Sequence, residues 1–238
     1  MPTKSSALLF ILFVLFLIGV AFTIHSTTLL STLRQRHADL RMDVGLFEEG
    51  DASKVRVVRA NVPEELRAPG IEDSIVWRFR ISFPAHYEAC YQSTLGLVKP
   101  GSPGGSGSSN TSFGSANPKP SEASVSLSFI KDKGEWICSM NYSGGATSLS
   151  VPPDFPIGSL ENVVIEQVVD YGDSRSFDVD APICLLRIRD KNLATNRDGT
   201  QKKGLYNGFS FYVFNAQNEK AFTAWAAGNT ASMEEQKE

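Results

Sequence analysis

The chain has 238 residues, 42% of them hydrophobic, and 23 Lys and Arg against 26 Asp and Glu, for a formal net charge of -3. That balance, with no basic stripe interleaved with aromatics, argues against a nucleic-acid partner, and no polyacidic tail is present. The three cysteines are far apart, in no CxxC pair and with no histidine beside them, so no zinc knuckle is available.

The most informative segment comes first. Ala7 to Ile24 (ALLFILFVLFLIGVAFTI) is an uncharged apolar run of about 18 residues, just enough for a helix to cross the hydrocarbon core of a bilayer. It predicts an N-terminal transmembrane anchor over residues 1–27, with the lipid bilayer as partner through Ala7–Ile24. The rival reading is a secretory signal with Lys4 in its n-region and a small-residue site at Gly19-Val20-Ala21, cleaved after Ala21. Apolar character continuing through Phe22 and Ile24 favours the uncleaved anchor. A type IV pilin-like leader would need a Gly followed by an aromatic or Met and then a Glu, and that pattern is missing. Arg34, Arg36 and Arg41 against Lys4 and the free amine favour a cytoplasmic domain by the positive-inside rule. The very short N-terminal tail favours an extracytoplasmic one, and this is the expectation adopted.

Residues 28–50 continue as a juxtamembrane stalk helix. Leu30, Leu33, His37, Leu40, Val44 and Phe47 recur at spacings of three and four and draw one stripe. Gly45 and the Glu48-Glu49-Gly50-Asp51 cluster then end it. The stripe reads either as a short coiled coil, giving a weak homodimer through the 30–47 helix, or as a face packed on the chain's own domain. Fewer than three heptads, with His37 on the seam, favour the second.

Strand signals dominate residues 51–228, and the about 190 residues that follow the stalk suffice for one sizeable core. Ile75, Trp77, Phe79, Ile81 and Phe83 alternate with smaller or polar neighbours, and so do Val125, Leu127 and Phe129. Asp132-Lys133-Gly134 turns the chain into a returning strand with Trp136, Cys138, Met140 and Tyr142. Further strands are expected at 54–62, 87–91, 147–151, 163–171, 183–189 and 208–215. Pro63 to Gly70 reads as one helical turn and Lys220 to Ala227 as a short helix. Eight or so strands without crossover helices predict an antiparallel β-sandwich, jelly-roll-like in type. Residues 99–122 are nearly devoid of apolar side chains and, by composition, form a disordered Gly/Ser/Pro loop within the one domain. Residues 190–207 form a second polar loop, and 229–238 a polar tail.

Chemistry is sparse. His86, in FPAHYE, is the domain's only histidine and has no catalytic partner pattern around it. Cys90, Cys138 and Cys184 each fall in an expected strand, and one disulfide or buried free thiols fit equally. Asp178-Val179-Asp180 and Asp190-Lys191-Asn192 fail the calcium-loop pattern, which from Asp190 meets Thr195 and Gln201 where Gly and Glu are required. Arg175, Arg187 and Arg189 are expected to meet these acids on the surface. Asn110 and Asn141 open glycosylation sequons. No catalytic, cofactor-binding or metal residue is assigned.

Three stretches, Trp77 to Glu88, Gly134 to Phe155 and Asp178 to Asp190, together resemble a loose group of uncharacterised planctomycete-type bacterial proteins with an N-terminal span and a β-rich domain. The resemblance implies a bacterial membrane protein and lends no activity and no site residues. The expectation is therefore a single-pass membrane-anchored β-sandwich acting as a binding or structural module, with a protein or glycan ligand. The alternatives are a membrane-tethered enzyme with a site near His86, or a secreted, signal-cleaved sandwich.

Overall fold

Two units make up the chain in the computed structural model, Met1–Met42 and Asp43–Glu238. The structure describes residues 4–44, 47, 51–62, 74–143, 145–153, 155–158, 160–171, 173–229 and 233.

The first unit is essentially one helix, α1 (Lys4–Val44), which runs through the expected anchor and stalk without a break. Proline is absent from it, and between Lys4 and Arg34 no Asp, Glu, Lys or Arg interrupts it. The Thr23 hydroxyl donates to the Gly19 carbonyl at 2.8 Å and Thr32 to Thr28 at 3.0 Å, so these side chains are satisfied by the helix's own backbone. Among the described residues no helix is long and apolar enough to cross a membrane. Described side chains on α1 begin at Leu15, and its large apolar residues lie open: Phe16 is 66% exposed, Phe22 71% and Ile24 60%. Leu30, Leu33 and Leu40 of the stalk stripe are exposed too. Helix α1 is described as far as Val44, and Phe47 is not helical. Gly45, Glu48 to Gly50, the expected turn at Pro63 to Gly70 and most of the polar tail lie outside the described residues.

The second unit is built from eleven described strands: β1 (Val55–Ala60), β2 (Ser74–Phe83), β3 (Ala89–Lys99), β4 (Ser102–Phe113), β5 (Ser121–Asp132), β6 (Glu135–Tyr142), β7 (Gly145–Ser150), β8 (Val163–Gln167), β9 (Ser174–Phe177), β10 (Ile183–Asp190) and β11 (Tyr206–Asn215). They form two sheets, β7-β6-β5-β2-β1-β9 and β4-β3-β11-β10-β8, in which every ladder is antiparallel. The architecture is mainly β and consistent with a sandwich. A jelly roll has eight strands in two Greek keys. Here β1–β2, β3–β4, β5–β6–β7 and β10–β11 instead pair as chain neighbours within one sheet.

Period-2 alternation builds the core between the sheets. Trp77 lies opposite Leu127, Phe79 opposite Val125 and Ile81 opposite Ala123, all buried, while Arg78, Arg80 and the serines of β5 take the other face. Phe129 stacks on Phe155 and meets Phe209 of the second sheet edge-on, each at 5.4 Å between ring centroids. Tyr142 of the first sheet stacks on Tyr91 of the second at 4.9 Å. Lys133 and Gly134, both at positive φ, make the two-residue hairpin between β5 and β6. On the outer face of the first sheet, the Phe47 ring lies 5.3 Å from the Arg56 guanidinium and 5.6 Å from that of Arg80.

β11 is apolar on both faces because both are covered. Phe209, Phe211 and Val213 face the inter-sheet core. Tyr212 and Phe214 turn outward, where with Cys90 and Cys184 they pack under a C-terminal helix, α2 (Glu219–Ala226). Phe222 of α2 stacks on Phe214 at 3.9 Å, and Trp225 meets Tyr212 edge-on.

The Gly/Ser/Pro segment corrects the expectation from composition. Residues 102–113 of the supposed disordered loop are β4, paired with β3 in continuous register from Cys90 opposite Phe113 to Val98 opposite Gly105. Its glycines permit close backbone approach. A Cβ at Gly107 would lie 2.1 Å from the Leu95 carbonyl oxygen, and one at Gly105 would lie 2.0 Å from that of Leu97. Gly107 faces Gly96, at φ of +150° and +141°, and Gly96 in turn faces Gly208, so three strands meet along a glycine row. Such backbone angles exclude other residues, and a paired strand recovers in ladder hydrogen bonds what it lacks in buried side chains. β9, only four residues long, was likewise outside the sequence expectation.

A candidate binding cleft between the sheet ends

One end of the sandwich holds a cleft of about 500 Å³, within the range of small-ligand sites. β2 ends there at Phe83, β3 starts at Ala89, β4 ends at Phe113, and β5 starts at Ser121. Phe83, Tyr87, Tyr91 and Phe113 supply aromatic walls. Ser115, Asn117, Ser121, Glu122 and Ser143 add hydroxyl, amide and carboxylate groups. Phe113 is the accessible ring, 49% exposed, whereas Phe83 and Tyr87 stack on each other at 4.8 Å and are buried. Burial pushes the Tyr87 and Tyr91 phenols well above the ordinary tyrosine range, so both stay neutral. Glu122 is ion-paired with Arg80.

His86 stands beside this cleft but does not line it. Its φ of +62° places it in the left-handed region, where histidine is tolerated better than most residues. Its backbone N–H donates to the Asn117 carbonyl at 2.6 Å, pinning the segment that follows β4, while its side chain is exposed. The contact that the structure shows for His86 is thus made through its backbone.

The cysteines form no disulfide and are buried. Cys138 lies in the inter-sheet core, whereas Cys90 and Cys184 share the cluster under α2, on β3 and β10, the two strands that flank β11. Burial pushes the Cys90 and Cys138 thiols up to about 12. Among the described residues no group of three His, Cys, Asp or Glu could hold a metal ion.

The expected pairing of arginines with the acidic loops is also corrected. Arg187 and Arg189 both bind Glu166 on the adjacent β8, because the β8–β10 register sets Glu166 opposite Arg187. Arg187, only 2% exposed, also donates to the Tyr212 hydroxyl. Burial would raise the Glu166 carboxyl, but hydrogen bonds and charge from the two arginines outweigh it and hold it below its ordinary value. Asp178 pairs instead with Lys54 at 3.3 Å, and the Asp190 carboxylate accepts from the Asn192 backbone at 2.8 Å. Arg59 of β1 spans the sheets to reach Gln167 of β8 at 2.7 Å. The sequon asparagine Asn110 is held 3.4 Å from the Tyr142 hydroxyl, whereas Asn141 is exposed.

A smaller cavity of about 260 Å³ opens near the other end of β3, where Gly96, Ser106, Asn207 and Lys202 meet Phe155. The aromatic cleft is the better candidate, being larger and having an open ring at its mouth. The sequence points near it through His86 but gives no sign of Phe113, which stands in a segment whose composition predicts disorder. Comparison with known proteins finds no matching family model, no matching curated protein and no matching solved structure.

Proposed function

We propose that this is a single-pass membrane-anchored β-sandwich whose inter-sheet cleft binds a neutral, hydroxyl-rich ligand of the saccharide class, on the extracytoplasmic side. The observation that carries the anchor is the apolar run Ala7–Ile24 inside one unbroken helix, with Leu15, Phe16, Ile18, Phe22 and Ile24 all open. Each such side chain left in water forgoes roughly 1.5–3 kcal/mol, and a contiguous set calls for a lipid or protein cover. The Thr23 hydroxyl, bonded within the helix, suits an apolar solvent as well.

The ligand class follows from the lining. Phe113 offers a ring face, serine hydroxyls and Asn117 offer neutral hydrogen bonds, and the carboxylate of Glu122 is already balanced by Arg80. A charged ligand would find no free counter-charge among the cleft residues, whereas a sugar ring can stack on Phe113 and hydrogen-bond to the rim.

Fractionation of cells making the full chain tests the anchor. The protein should stay with membranes through carbonate washing, keep Met1 through Ala21 on N-terminal sequencing, and be cut by protease added outside. A mature chain starting at Phe22, or a soluble one, overturns it. For the cleft, titration with an oligosaccharide panel should show binding that Phe113→Ala weakens about tenfold, near the 1–3 kcal/mol of one lost base-type aromatic stack. Binding unaffected by Phe113→Ala, or none across the panel, overturns the ligand class.

A further inference from the structure

We propose that β4 is a self-association edge, and that two copies of this chain pair antiparallel along it into one continuous sheet. Among the described residues β4 ends its sheet, hydrogen-bonded on one side to β3. The other three sheet edges, β7, β8 and β9, have six, five and four residues, whereas β4 has twelve. Natural edges are blunted by shortness, by charges, by proline or by bulges. From Ser102 to Phe113 there is no Asp, Glu, Lys or Arg, and the one proline, Pro103, sits at the buried start. The register irregularity with β3 falls at Val98–Lys99, before the free stretch. α2 lies against that start, where a Cβ on Gly104 would meet the Ala226 carbonyl oxygen at 2.8 Å, and the residues from Gly105 to Ser109 are exposed. Ser108–Phe113 is therefore an open, regular template for another strand.

The occupant is a second copy because the free stretch is uncharged and compatible with itself. From Ser108 to Thr111 the edge displays only Ser, Asn and Thr, with no charge to select a foreign strand. A two-fold axis normal to the sheet sets one residue opposite its own symmetry mate, which a charged edge would resist and a neutral one does not. Centred on Thr111, the pairing lays the exposed Phe113 across Ser109 of the second copy. Strand pairing alone buries a small area, so the dimer is concentration-dependent. The pairing does not involve the stalk-helix seam; it shares Phe113 with the mouth of the cleft, but Thr111 is not part of the cleft lining, so Thr111→Lys reads association separately from ligand binding.

The test uses the full chain in mild detergent. Light scattering after size exclusion should show a monomer–dimer equilibrium, and Thr111→Lys should raise its dissociation constant at least about tenfold, since like charges then face each other. Thermal melting checks that this variant is folded. Independently, Ser109→Cys, Thr111→Cys and Phe113→Cys are made one at a time and oxidised, and the one on the axis should give a covalent dimer, the native thiols being buried. A monomer at every concentration overturns the proposal. So does a dimer that ignores Thr111→Lys and fails to cross-link at all three positions, which would place association on α1. A β4 that instead captures an added extended peptide while the chain stays monomeric also overturns it.

Discussion

β4 and β5 are both twelve residues long, follow one another in the chain, and belong to different sheets. β5 alternates serines with Val125, Leu127 and Phe129, so half of its side chains are driven into the core. β4 buries almost nothing beyond its first residues and stays in place through backbone pairing and glycines that let β3 approach. One strand is held by side chains, the other by its main chain. The contrast shows that a Gly/Ser-rich composition reports low hydrophobic drive, which is not the same as absence of structure when a neighbouring strand offers a full ladder.

The largest expected effect breaks the contrast outright. Deleting residues 102–113 should abolish cooperative unfolding by circular dichroism, because β3 loses its ladder partner and the adjoining core its edge. A disordered loop could be removed with little cost. Phe129→Ala comes next, at about 3–5 kcal/mol by chemical denaturation, since a fully buried ring touching Phe155 and Phe209 is lost.

Gly107→Ala should cost about 1–3 kcal/mol in the same assay, because it forces a side chain into φ of +150° against the Leu95 carbonyl. Alanine usually stabilises a strand relative to glycine, so a neutral or stabilising result would remove the close-approach account of β4.

Alkali gives a smaller and shared effect. Cys138 sits opposite Phe129 of β5, and Cys90 opposite Phe113 of β4. Both thiols are raised to about 12 in the fold, above roughly 8.5 in an unfolded chain. Across that interval the unfolded chain has lost protons that the folded one keeps, so stability should fall as pH climbs from about 8.5 towards 12. Below it the thiols contribute no slope. In mild denaturant at neutral pH, Cys90 should react with a maleimide before Cys138, because edge pairing opens more readily than the inter-sheet core. Simultaneous labelling would mean that the β4 edge opens only with the whole domain. Least affected are Ser126→Ala on β5 and Ser109→Ala on β4, each within about 0.5 kcal/mol by the same denaturation.

The same distinction separates what could be read locally from what could not. Trp77 to Phe83, Val125 to Phe129 and the Lys133-Gly134 turn carry their structure in short-range pattern, and so do the apolar run of α1 and the short helix α2. The cleft was only half legible. His86 drew attention by residue type, yet its contribution is a backbone hydrogen bond to Asn117. Phe113, which shapes the mouth, stood in a segment without periodicity.

The sequence by itself determined which residues face a core, because alternation of apolar side chains is set by neighbours two positions away. It also determined that the N-terminal helix would be apolar on every side over Ala7–Ile24. Only the tertiary structure decided that β4 is a strand, that Glu166 and not the acidic loops receives Arg187 and Arg189, and that Cys90 and Cys184 share a cluster under α2 while Cys138 lies between the sheets. Those outcomes depend on ladder register and on how closely two backbones approach. Both are relations between segments distant along the chain, so no window of local sequence contains them.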